Sequence, residues 1–127
     1  MAYKILVADD EQDIRETIRG RLIREGYEVA TAADGDEALI KFEQAKPDIV
    51  LLDLMMPKRN GFAVLHEIRT KYTDKWRPII IVSAKDDLES TKQAYKMEAD
   101  HYLTKPCTME QVLNGIKTMI SLIPHRL

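Results

Sequence analysis

The sequence predicts a three-layer α/β domain built on a parallel sheet, and two observations carry that prediction. Short apolar runs alternate with amphipathic stretches from end to end, the pattern of successive βα units. Two of the runs, Ile49-Val50-Leu51-Leu52 and Ile79-Ile80-Ile81-Val82, are apolar at every position, as strands covered on both faces must be. At 127 residues the chain is near the commonest size for one core, so residues 1–127 are expected to form a single domain.

Ile5-Leu6-Val7-Ala8 reads as the first strand. A helix follows with Ile14, Ile18 and Leu22 on one face, and Gly26 ends it as a left-handed cap. Tyr27-Glu28-Val29-Ala30 alternates and reads as an edge strand. Asp34 with Glu37 three residues on resembles a capping box, opening a helix with Ala38, Phe42 and Ala45 inward. Pro47 breaks that helix, and Ile49 to Leu52 is the third strand, with Asp53 at its end. Leu54 to Asn60 contains Pro57 and closes on Asn60-Gly61, so it reads as a loop. Phe62, Leu65 and Ile68 mark the third helix. Pro78 opens the fourth strand, and a less apolar helix covers Leu88 to Met97. His101-Tyr102-Leu103-Thr104 is a short fifth strand, followed by Lys105-Pro106. Thr108 with Gln111 caps a last helix with Val112, Ile116, Met119 and Ile120 inward.

The composition excludes several function classes. A net charge of -2 gives no overall basic field, and no stretch after the last helix could hold a helix-turn-helix module, so direct nucleic-acid binding is not expected. Cys107 is the single cysteine, which rules out an internal disulfide and a cysteine metal site. There is no signal-peptide pattern and no apolar run near the roughly 18 residues of a membrane span. The expectation is a cytoplasmic protein without membrane contact.

Polar residues fall at informative places. Asp9 and Asp10 follow the first strand, Asp53 the third, Ser83 the fourth and Lys105 the fifth. In a parallel sheet all these strand ends share one edge. Right-handed crossovers leave few orders, and the flavodoxin-like doubly wound (βα)5 order 2-1-3-4-5 puts the first and third strands side by side, about 4.8 Å apart. Two carboxylates about 5 Å apart repel by roughly 3 kcal/mol at an effective dielectric near 20. A hard divalent cation such as Mg2+ relieves that repulsion, and the lysine offers a point charge for a phosphoryl oxygen. Such a set suits phosphoryl transfer to an aspartate. No phosphate loop or nucleotide fingerprint is present, so ATP is not the expected donor. Taken singly, Asp10 or Glu11 reads as a helix cap, Asp53 as a loop acid, Lys105 as a surface lysine and Ser83 as a turn cap. Their coincidence at strand ends is what points to a site.

At these residues the sequence resembles the receiver domain of two-component response regulators over nearly its whole length. The matching pieces are Val7-Ala8-Asp9-Asp10-Glu11, Asp53-Leu54-Met55-Met56-Pro57, Asn60-Gly61, Val82-Ser83-Ala84 and Tyr102-Leu103-Thr104-Lys105-Pro106. The resemblance implies that Asp53 is the phosphoacceptor, loaded from a sensor histidine kinase or a histidine phosphotransferase. It implies Mg2+ held directly by Asp10, through water by Asp9, by Asp53, and by the backbone carbonyl of Met55. Lys105 would pair with the phosphoryl group or, before transfer, with Asp53, and its bond to Pro106 would be cis. Ser83 and Tyr102 resemble the switch pair: the hydroxyl moves to the phosphoryl group and the ring turns inward. The face built from the fourth helix, fifth strand and fifth helix then signals to a downstream protein or an output domain; a homodimer formed on phosphorylation is compatible with this. Met55 and Lys85 occupy positions that flank the path of hydrolytic water.

Some features depart from the family pattern or compete with it. Glu98-Ala99-Asp100 stands where Gly-Ala-Asp is common, so the turn before the fifth strand is expected to be built differently. Cys107 replaces an aromatic and reads as a small hydrophobe, and Trp76 as a packing residue. A dehalogenase-type aspartyl phosphatase would show Asp-x-Asp after its first strand, which is missing here. A degenerate receiver acting as a phosphorylation-independent interaction module is disfavoured by the complete set of acids, Ser83 and Lys105. If Pro124-His125-Arg126-Leu127 begins a linker, the domain regulates an attached output; otherwise it acts alone by protein contact.

Overall fold

A computed structural model describes residues 2–126. Met1 and Leu127, the two ends of the predicted domain, lie outside the described residues. Strands and helices alternate as β1 (Lys4–Ala8), α1 (Gln12–Arg24), β2 (Glu28–Ala32), α2 (Gly35–Ala45), β3 (Ile49–Leu52), α3 (Gly61–Lys71), β4 (Ile79–Ser83), α4 (Leu88–Lys96), β5 (His101–Thr104) and α5 (Met109–Leu122), followed by a short 3-10 turn at Ile123–His125. All strand pairs are parallel and the sheet order is β2-β1-β3-β4-β5, as the sequence predicts.

Alternation along each strand divides the interior into two apolar layers. Leu6, Val50, Leu52 and Ile81 pack with Phe42, Leu65 and Ile68 of α2 and α3. Ile5, Val7, Ile49 and Ile80 pack with Ile18 and Leu22 of α1 and with Val112 and Ile116 of α5. Every residue of β3 and β4 is buried between these layers, which is why both strands need apolar residues on both faces. The register aligns the ends of the two central strands. Ala8 pairs with Leu52, and the Asp53 N–H donates to the Ala8 carbonyl at 3.0 Å, so the residues that leave β1 and β3 emerge side by side.

The boundaries depart from expectation where the chain closes a helix. Tyr27 does not open β2; its N–H donates to the Leu22 carbonyl at 3.1 Å, which completes the end of α1 beyond the left-handed Gly26 (φ 97). The strand therefore runs Glu28–Ala32. Asp34 caps α2 by accepting from the Glu37 N–H at 2.7 Å, but Glu37 reaches back to the Ala33 N–H at 3.1 Å, so the box is incomplete. Phe62, Ile14 and Ile120 pack against the interior but are only half-buried, and Ala45, also half-buried, joins neither layer. Asn60 caps α3 rather than merely ending the loop, accepting from the Ala63 N–H at 3.0 Å. Glu98 takes the left-handed conformation (φ 71) a glycine would favour, and Arg69 Nε donates to its carbonyl at 3.0 Å; the turn before β5 is thus built in the usual way with an unusual residue. Trp76 packs against the layer beneath α5 and donates its indole N–H to Asp100 at 3.2 Å, in keeping with a packing role.

The capping box of α5 is complete: Thr108 Oγ1 accepts from the Gln111 N–H at 3.1 Å, and Gln111 Oε1 accepts from the Thr108 N–H at 2.8 Å. Thr108→Ala is expected to lower stability by about 1 kcal/mol, or about 4 °C in Tm. A thermal melt indistinguishable from wild type would show that α5 does not depend on this cap.

Candidate functional site

Asp9 and Asp53 leave neighbouring strands and are 3% and 4% exposed. Each carboxylate is oriented by the backbone two residues on. Asp9 Oδ1 accepts from the Glu11 N–H at 2.9 Å, and Asp53 Oδ1 accepts from the Met55 N–H at 2.9 Å. Their second oxygens share one cation, with Lys105 Nζ donating to Asp9 Oδ2 at 2.8 Å and to Asp53 Oδ2 at 2.9 Å. Asp10 is exposed at the mouth, and one oxygen from each of Asp9, Asp10 and Asp53 lies within 4.8 Å of the others.

The charges do not balance. One ammonium meets three carboxylates, because Lys105 Nζ also lies 3.3 Å from Glu11 Oε1, and Asp10 adds a fourth acid at the mouth. Burial pushes the Asp9 carboxyl above its usual range, and the bonds from Lys105 and the Glu11 N–H pull it down without reversing the shift. Burial also opposes the Lys105 ammonium, but its bonds to Asp9 and Asp53 outweigh that and raise its pKa. The lysine is firmly charged, and the shortage of positive charge rests on the carboxylates. Hard oxygen ligands with spare negative charge are the donor chemistry of Mg2+, so the residues present fit that ion.

Ser83 ends β4 with no exposed surface, next to β3. Its hydroxyl accepts from the Lys85 N–H at 3.3 Å, while the half-buried Tyr102 of β5 donates its hydroxyl to the Lys85 carbonyl at 2.5 Å. The serine and the tyrosine thus meet through one residue, not through each other. The Lys105-Pro106 bond is cis. Cys107 is half-buried against the α5 layer, and burial pushes its thiol up, as a small hydrophobe requires. The side chains of Met55 and Lys85 are exposed beside the acids and the serine.

A model of the response regulator receiver domain matches residues 5–117. The chain belongs to this family. It is 43% identical over 116 residues to Response regulator RR06 of Streptococcus pneumoniae, covering 91% of this chain and 52% of that protein. This receiver domain thus spans about half the length of that curated relative. Its fold is similar to the chemotaxis protein CheY4 of Vibrio cholerae (TM-score 0.86, 32% identity, 93% of this chain and 98% of that one). It is also similar to a CheY-like receiver domain protein of Methanospirillum hungatei (TM-score 0.92, 27% identity, 98% of both chains). The CheY of a CheX-CheY-BeF3-Mg+2 complex from Borrelia burgdorferi has TM-score 0.86 and 28% identity, over 93% of this chain and 89% of that one.

The receiver's geometry brings together the Asp9, Asp10, Asp53 and Lys105 that the sequence singles out. The roles of two groups escape sequence reasoning. Glu11 stands at the N-cap of α1 but makes no side-chain cap bond; its carboxylate turns to Lys105 instead. Arg15, one turn into α1, donates to the Asp9 carbonyl at 2.9 Å and so braces the β1–α1 loop. Glu11 lies in a matching run and reads as a cap, but nothing in the sequence marks its pairing with Lys105, and Arg15 carries no pattern or spacing that marks it. Among the described residues no helix is long and apolar enough to cross a membrane.

Proposed function

We propose that this receiver domain is a phosphorylation-dependent signalling switch with Asp53 as phosphoacceptor, carried by one observation: a buried aspartate and a half-buried lysine in direct contact beside two further acids. The donor is a phosphohistidine of a sensor histidine kinase or histidine phosphotransferase. An Asp53 oxygen attacks phosphorus, the O–P bond forms as the N–P bond breaks, and the imidazole keeps the electron pair. Asp9, Asp10, Asp53 and the Met55 carbonyl are the groups that would hold Mg2+. When bound, that ion draws charge from the phosphoryl oxygens. Lys105, already on the reacting carboxylate, moves with it to a phosphoryl oxygen.

Ser83 supplies the readout. When its hydroxyl turns to the phosphoryl group it gives up the Lys85 N–H, and the same Lys85 backbone is the partner of Tyr102. Tyr102 is then released to turn inward, reshaping the face of α4, β5 and α5 that a downstream protein or output domain reads. The two states need differ by only a few kcal/mol for the phosphoryl group to select one. Hydrolysis of the acyl phosphate by water resets the switch, with Met55 and Lys85 flanking the approach. The chemistry is self-limited, so the domain works as a cytoplasmic signalling module and not as an enzyme with turnover on a substrate. The magnesium-bearing complex of the Borrelia relative supports the same reading.

Mg2+ is expected to raise the melting temperature, because it fills the charge deficit of the folded state alone. With a Kd of about 1 mM, about 10 mM Mg2+ adds about 1.4 kcal/mol, or about 5 °C. A melting curve unmoved across the titration would remove the metal site. Transfer of label from a phosphorylated kinase to the wild-type domain tests the acceptor chemistry itself.

A further inference from the structure

The loop that joins β3 to α3 carries both Asp53 and Met55, and it is held between two residues that have no side chain. At its near end, a Cβ on Gly61 would lie 2.3 Å from the Asp53 carbonyl oxygen and 2.6 Å from Leu54 Cα. At its tip, a Cβ on Gly35 would lie 1.8 Å from the Arg59 carbonyl oxygen and 2.6 Å from the carbonyl carbon. Real Cβ atoms do not approach backbone so closely, and backbone cannot rotate away as a side-chain end can. The Gly35 N–H also faces the Pro57 carbonyl at 3.4 Å. Ion pairs flank this junction, Lys58 with Asp34 at 3.5 Å and Arg59 with Asp36 at 3.1 Å, and Lys58 itself is left-handed (φ 67).

Within the loop, Leu54 and Met56 are buried in the layer that includes Ala32 and Ala38, while Met55 between them is exposed. A displacement of the tip at Lys58-Arg59 therefore pivots about two anchored side chains, with the Met55 peptide between them. That peptide orients Asp53 through its N–H. We infer that Gly35 is a positioning residue for the cation site: by admitting the Arg59 backbone at the start of α2, it holds the loop so that Met55 and Asp53 present their oxygens together. This rests on the proposed Mg2+ site, although Gly35 touches none of its ligands.

The test is Mg2+ binding by the full chain, followed by NMR titration of the Asp10 and Met55 amides at a temperature where each variant is folded, in about 150 mM salt to screen lost surface charge. Gly35→Ala is expected to weaken Mg2+ about tenfold or more, the range typical of lost support behind a metal ligand. Gly20→Ala, inside α1 with nothing beyond its own helical backbone within 4 Å of the added Cβ, is expected to keep wild-type affinity. A merely structural role for Gly35 would lower its melting temperature and leave the affinity of the folded form unchanged, which would overturn the inference. Should Gly35→Ala fail to fold, Asp34→Ala loosens the same junction without adding an atom. It is expected to weaken Mg2+ in the same direction, and wild-type affinity there would overturn the inference equally. A wild-type protein that ignores Mg2+ would instead remove the site reading, and the role of Gly35 with it.

Discussion

Asp53→Asn is expected to reduce phosphoryl incorporation to background, from a phosphorylated histidine kinase or from acetyl phosphate, while the domain stays folded. The amide keeps the shape of the carboxylate, and its oxygen can still accept the Met55 N–H that Asp53 accepts at 2.9 Å. It lacks the anionic oxygen that must form the new O–P bond. The neighbouring acids are poor substitutes. Asp9 is tied at both oxygens, to the Glu11 N–H and to Lys105, and Asp10 lies at the exposed mouth. Radiolabel transfer with far-UV circular dichroism of the same samples checks both halves. Retained label at Asp53→Asn would move the acceptor elsewhere.

Lys105→Met is expected to be the most destabilising substitution at the site in the absence of metal. It removes the one ammonium that Asp9 and Asp53 share at 2.8 and 2.9 Å, and leaves both carboxylates buried without a cation. Breaking a buried pair from one side costs about 3 kcal/mol or more, which corresponds to a fall of about 10 °C in Tm. Mg2+ should return much of this, so the variant should gain more from Mg2+ than wild type does. The pH dependence has a definite sign. The folded pKa of Lys105 is raised, so its contribution is complete below the ordinary lysine value and is lost only in strong alkali; wild-type stability owes no neutral-range slope to it. The folded pKa of Asp9 is already raised with the lysine present, and loses its strongest opposing bond without it. The variant should therefore recover stability as pH falls from neutral toward the ordinary carboxylate range, where Asp9 takes up a proton more readily folded than unfolded. Melts in EDTA across pH, and again in Mg2+, decide it. A variant as stable as wild type in EDTA would mean the bridge contributes nothing.

The all-apolar β3 and β4 make the parallel sheet legible in the bare sequence, and the placing of Asp9, Asp53 and Lys105 at strand ends makes the cluster legible with it. Both follow from periodicity, which is local and regular. What the sequence hides is set by backbone detail. Tyr27 alternates like a strand residue, yet its N–H is taken by the end of α1. Glu98 looks unsuited to a left-handed turn, yet Arg69 on its carbonyl helps hold it there. Glu11 has the position of a helix cap, yet its partner is Lys105, which the carboxylates at the strand ends draw within its reach. The meeting of Ser83 and Tyr102 at Lys85 depends on a turn whose hydrogen bonds no composition rule predicts. Gly35 reads as an ordinary opening residue of a helix until the Arg59 carbonyl is seen against it.

Lys105 follows β5, the outermost strand on its side, while its carboxylate partners follow β3 and β1. Between β5 and β3 lies the end of β4, so the lysine and aspartate side chains together close a gap of two strand spacings, about 10 Å. The ion pair ties the sheet's margin to its middle, and the Lys105 N–H donates to the Ser83 carbonyl at 2.8 Å. The strand it anchors is the one that bears Tyr102, so the acidic rim and the outer strand share a direct ionic tie.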